Sequence, residues 1–175
     1  MRRTRVYFWF ISISEYSLLI MIRPIFICKA NVWRSQIAEW IFNHRYGAGT
    51  SISIAGCEAR KEKYWWVPDT WVSTVLQEYK WVDISNQKIK YLSDITSQQL
   101  SDYNLVVFLF DPSQDSSCDY DCKKDWISPY EYLSKLDSSI RIHPITDPFE
   151  VWVKEYRRII DEIDIIIENL VRDRV

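Results

Sequence analysis

The stretch from Arg23 to Trp40 constrains this chain more than any other. A short apolar run, Pro24 to Ile27, ends in Cys28. Arg34 follows six residues later, then Ser35, and then Ile37, Ala38 and Ile41 on one face of a helical pattern. That is a buried strand, a tight loop and a helix N-terminus in direct succession. Leu105 to Phe110 is another continuous apolar run, bounded by Asn104 and Asp111, and reads as a strand of a parallel sheet buried on both faces. Ser35 to about Arg45 is expected to be the first helix, ended by Gly47 and Gly49, with Ser51 to Ala55 a short second strand. Pro68 suits the first position of a helix whose apolar face is Val72, Val75, Leu76 and Tyr79. Thr96-x-x-Gln99 is a capping box opening a short helix. Arg141 to Ile145 reads as a last strand. Glu150 to about Arg172 reads as a last helix, with Tyr156, Ile159, Ile160, Ile163, Ile167 and Leu170 at helical spacing. Strands alternating with helices predict an α/β protein whose parallel sheet is covered on both faces. Asp111 to Ser139 is polar, carries Pro112 and Pro129, and is long enough to imply irregular or functional structure.

Composition narrows the partners. A chain of 175 residues is one domain by default, and 47% hydrophobic residues can fill an ordinary core. Lys and Arg total 22 against 24 Asp and Glu, a net charge of −2, so neither nucleic acid nor an anionic membrane is favoured as a partner. The four cysteines, at 28, 57, 118 and 122, are too few and too unevenly placed for a disulfide framework. Cys118-x3-Cys122 has no second pair and no histidine nearby, which argues against structural zinc. A reduced, cytoplasmic setting fits. Residues 1–20 open with Arg2, Arg3 and Arg5 before an apolar Val6 to Ile11, but Ser12, Ser14 and Glu15 break that run well short of a membrane span. We expect the folded domain to occupy residues 21–175, with Met21 as a natural start and 1–20 as an extension outside the fold.

The chemistry suited to the Cys28–Ser35 loop is oxyanion capture. Backbone N–H groups of a short loop entering a helix converge on an anion, and the helix dipole favours negative charge there. The same field favours a thiolate at Cys28. Arg34 can grip two phosphate oxygens through its planar fork, and the Ser35 hydroxyl can donate to the sulfur. A cysteine closing an apolar strand is also commonly an inert core residue, so the context has to carry the reading.

The string C-K-A-N-V-W-R-S-Q-I-A-E resembles the phosphate-binding loop of the low-molecular-weight protein tyrosine phosphatases, and of the thioredoxin-coupled arsenate reductases that share their fold. That loop usually reads C-x-G-N-x-(C or G)-R-S-x-x-A-E. Ala55-Gly56-Cys57 resembles the family's S-A-G-T segment, with Cys57 where threonine is usual. W-V-D-I-S-N-Q-K resembles its G-I-D-I-S segment, which packs beside the active loop. The resemblance implies a three-layer, doubly wound, flavodoxin-like fold with four parallel strands and the site at the carboxyl end of the first. It also gives Asp147-Pro148-Phe149, otherwise an ordinary turn, a role: Asp147 as general acid and Phe149 as a wall of the aryl slot. Cys28, Arg34 and Asp147 are then the catalytic residues. Lys29, Ala30, Asn31, Val32, Trp33, Ser35 and Phe149 bind the substrate, a phosphotyrosine protein or another phosphate ester. No metal or cofactor is implied.

Arsenate reduction is the rival within the fold, with Cys118 and Cys122 as resolving thiols and a thioredoxin-like reductant as partner. A phosphate-binding module without turnover is a third reading. His44 and His143 do not make a Cys/His hydrolase on this pattern, and no Gly-Lys-Ser/Thr nucleotide loop is present. Ala30, Trp33 and Trp81 stand where the family is small or glycine, and a loop wrapping an anion leaves little room for such side chains. The chain has 3 glycines and 9 tryptophans, where average usage of glycine gives about a dozen. Trp33, Trp40, Trp81 and Trp152 align with glycine or small residues. Either these tryptophans are genuine, or a gene that reads UGA as glycine has been translated with UGA as tryptophan; UGG codons would exclude the second reading.

Overall fold

The structure is a computed structural model and describes residues 22–56, 77–78, 83–113, 129–135, 139–145 and 153–173. All but residues 77–78 of the helix expected from Pro68, together with Cys57, Trp81, the Cys118/Cys122 pair and residues 1–20, lie outside the described residues.

β1 (Pro24–Cys28) is followed by α1 (Arg34–Tyr46), β2 (Ile52–Ala55), α2 (Ser97–Ser101), β3 (Leu105–Phe108), α3 (Pro129–Ser134), β4 (Ser139–Ile142) and α4 (Val153–Arg172). The four strands form one parallel sheet in the order β2-β1-β3-β4. Every residue of β1 is buried, as a central strand with both faces covered requires. Alternation along the strand splits the core in two. Phe26 and Cys28 join Ile37, Phe42, Val107, Ile160 and Ile163 beneath α1 and α4. Ile25 and Ile27 join Ile54, Leu100, Val106, Phe108 and Leu133 on the face carrying α2 and α3. Each large apolar side chain so buried contributes about 1.5–3 kcal/mol.

Most local signals behave as their chemistry dictates, but α3 forms inside the stretch from Asp111 to Ser139 expected to be irregular or functional. Gly47 ends α1 at φ 113° and returns its N–H to the Asn43 carbonyl at 3.1 Å. Thr96 and Gln99 form the reciprocal cap of α2. Tyr156, Ile159, Ile160, Ile163, Ile167 and Leu170 are the buried stripe of α4. Arg45, near the C-terminus of α1 where positive charge is favoured, pairs with Asp164 of α4 at 2.5 Å. β4 begins two residues before the expected strand and ends three earlier. It is the sheet's edge and mostly exposed, so no buried apolar pattern marks its bounds. Among the described residues, no helix is long and apolar enough to cross a membrane.

Candidate active site

The sheet order reverses between β1 and β3, and open α/β sheets bind ligands in the crevice outside the strand ends at that reversal. Cys28 is the last residue of β1 and therefore stands at the crevice. Its main chain is held from one side by Gly56, whose N–H donates to the Cys28 carbonyl at 2.7 Å. On the other side, Leu109 N–H donates to the Ile27 carbonyl at 2.8 Å.

The loop from Lys29 to Trp33 then turns back into α1. Asn31 makes the turn possible by adopting φ 52°, a left-handed conformation that asparagine tolerates better than most residues. Its side chain is fully buried and bound at both ends. Oδ1 accepts the main-chain N–H of Lys90 at 2.7 Å, and Nδ2 donates to Ser35 Oγ at 2.9 Å. The Lys90 donor fixes which end of the amide is oxygen, so Nδ2 must be the end facing Ser35. Ser35 Oγ and Cys28 Sγ share a buried hydrogen bond of 3.0 Å. Ser35 Oγ accepts from Asn31 and still carries one proton, so it can donate to the sulfur when Cys28 is ionised.

Arg34 is the first residue of α1 and is buried. Its Nη1 donates to the carbonyls of Leu109 at 3.2 Å and Ile145 at 2.7 Å. These carbonyls lie just past the ends of β3 and β4, and Leu109 is itself bonded to Ile27. The guanidinium and the thiol therefore share one end of the sheet. Two bonds from one nitrogen fix the guanidinium plane, which has five N–H donors in all.

Trp33 departs most from the expected crowding. Its indole turns into the core rather than the loop and meets Tyr156 of α4 edge-on at 6.0 Å between ring centres. Its Nε1 finds no acceptor among the described residues, and Trp33 offers α1 no side-chain cap. Val32 is buried in the same cluster, whereas Lys29 and Ala30 are partly exposed. Asp147 and Phe149 lie outside the described residues, as does Trp152. His44 is exposed and stacks on Trp40 at 4.6 Å; His143 follows β4 and donates its main-chain N–H to Phe108.

The D-I-S segment runs beside the loop. Ile84 is buried in the same cluster as Cys28 and Val32, and Gln87 Nε2 donates to the Gln36 carbonyl at 3.1 Å. Two polar residues here escaped the sequence reading. Lys90 holds Asn31 through its main chain, and Glu39 collects Lys90 Nζ at 2.8 Å together with the N–H and hydroxyl of Ser53. Glu39 had a signal, since it closes the quoted C-x5-R-S motif; Lys90 had none.

The family description for low molecular weight phosphotyrosine protein phosphatase matches residues 23–174. Solved structures share the fold at low identity. A low molecular weight protein tyrosine phosphatase from T. tengcongensis is 18% identical, with a TM-score of 0.58 over 87% of this chain and 99% of its own. Vibrio vulnificus Wzb, solved with benzylphosphonate, is 14% identical, with a TM-score of 0.60 over 87% of this chain and 98% of its own. An arsenate reductase from Archaeoglobus fulgidus is 19% identical, with a TM-score of 0.57 over 85% and 98%. No curated protein matches the sequence. The strand, the loop and the match over nearly the whole chain agree: this protein belongs to the low molecular weight phosphotyrosine protein phosphatase family.

Proposed function

We propose that the protein hydrolyses aryl phosphate monoesters, phosphotyrosine among them, through a phosphocysteine on Cys28. The observation that carries this reading is the run of buried hydrogen bonds from Asn31 to Ser35 to Cys28, which sets a hydroxyl able to donate 3.0 Å from the sulfur at the start of the loop. Such a donor steadies a thiolate as nucleophile and again as leaving group. Cys28 sulfur attacks phosphorus, and the bond to the aryl oxygen breaks as Asp147 gives that oxygen a proton. Asp147 then takes a proton from the water that attacks the phosphocysteine, releasing inorganic phosphate and restoring the thiolate. Loop N–H groups and Arg34 bear the charge on the equatorial oxygens in both steps.

Arsenate reduction remains the alternative, supported by the reductases among the structural neighbours. Hydrolysis of an aryl phosphate by the wild type, Cys28→Ser and Asp147→Ala separates the readings. The phosphatase loses all activity in the first variant and falls about 10²–10⁴-fold in the second. Turnover of arsenate with a thiol donor, lost in Cys118→Ser or Cys122→Ser, would instead identify a reductase. Phosphate binding with neither turnover would leave a binding module.

A further inference from the structure

We propose that Lys90 is a positioning residue for the nucleophile, acting through Asn31 and held in place by Glu39. The inference rests on the reading of the Cys28 loop as a phosphatase site. Three parts of the fold grip Lys90. Its N–H donates to Asn31 Oδ1 at 2.7 Å, its carbonyl accepts from Ala55 N–H at 2.8 Å, and its ammonium pairs with Glu39 Oε2 at 2.8 Å. The same Glu39 oxygen accepts from Ser53 N–H at 3.0 Å and Ser53 Oγ at 2.5 Å. One carboxylate on α1 thus ties β2 to the residue that orients Asn31.

The ion pair is partly shielded, with side-chain exposures of 27% for Lys90 and 14% for Glu39, so removing either charge leaves its partner poorly solvated. The sheet does not need the pair, because Ala55 and Tyr91 already bridge beside it. What it adds is a fixed direction for the peptide N–H of residue 90. That N–H keeps the Asn31 amide oriented, and the amide holds the Ser35 hydroxyl against Cys28. A left-handed Asn31 persists only where its surroundings over-determine it, and Lys90 supplies one of its two side-chain bonds.

The test compares wild type, Lys90→Met, Lys90→Arg and Glu39→Gln. Two readouts are taken: the rate of Cys28 alkylation by iodoacetamide at neutral pH, with and without inorganic phosphate, and kcat and KM for an aryl phosphate. Lys90→Met keeps the aliphatic stem without the charge. It is expected to slow alkylation several-fold and to lower kcat about tenfold with KM within about twofold, since small misplacements of reacting groups act mainly on the chemical step. Lys90→Arg should restore both. Glu39→Gln should reproduce the Met variant, and it serves as the test if Lys90→Met does not fold. Wild-type alkylation and kcat in a folded but less thermostable Lys90→Met or Glu39→Gln protein would overturn the proposal, because a merely structural pair moves only the unfolding midpoint. Alkylation that depends on Lys90 in a protein without phosphatase activity would sink the phosphatase reading and leave the positioning role standing.

Discussion

Asn31 shows what one residue can reveal and what it cannot. An asparagine inside a loop is a recognisable brace, but its brace point is 59 residues away, at Lys90. Ser35 is legible because it follows Arg34, whereas its bond from the Asn31 amide shows only in the folded structure. His143 has a consequence in pH. Burial first, and then the charge of Arg141, hold its imidazole below the usual 6.5. The folded state therefore takes up this proton less readily than the unfolded chain. Stability should be complete above about pH 6.5 and decline as pH falls from there through the lower folded value. His143→Gln should flatten that part of a plot of unfolding midpoint against pH; an unchanged slope would show that another group is responsible.

Among the elements, β1, α1 and α4 were readable because burial writes a period into the sequence: continuous for β1, helical for the other two. β4 was readable only roughly, since an exposed edge strand carries no such period. The junction of β2 with the site depends on Gly56. A Cβ there would lie 2.9 Å from Phe110 Cζ and 3.2 Å from Ile27 Cγ2. Phe110 is buried against Phe108 and Ile27 is fully buried, so neither can yield cheaply. Gly56→Ala should destabilise the fold by about 1–3 kcal/mol, read as a lower midpoint in thermal or denaturant unfolding. It should also weaken phosphate binding, because the Gly56 N–H holds the Cys28 carbonyl.

At the scale of the molecule, the scarcity of glycine beside abundant tryptophan is the largest anomaly. Trp33 bears on it directly. Its indole N–H is buried without an acceptor among the described residues, a cost of about 1–3 kcal/mol, and it leaves α1 uncapped where glycine is an accepted cap. The expected outcome is UGA rather than UGG at codon 33 and at codons 40, 81 and 152, checked by reading the gene beside its tRNA set. UGG would mean that the loop evolved around an indole anchored on Tyr156.

The order of the four strands with α1, α2 and α4, and the thiol–loop–guanidinium unit, were determined by the sequence alone, because each is written in neighbouring residues and in the period of burial; α3 was not. Only the tertiary structure decided what holds that unit in shape. Arg34 rests on carbonyls 75 and 111 residues away, and Asn31 on an amide 59 residues away. Such bonds exist only once parallel strands have taken their register, and register is a property of the assembled sheet that no local stretch of chain contains.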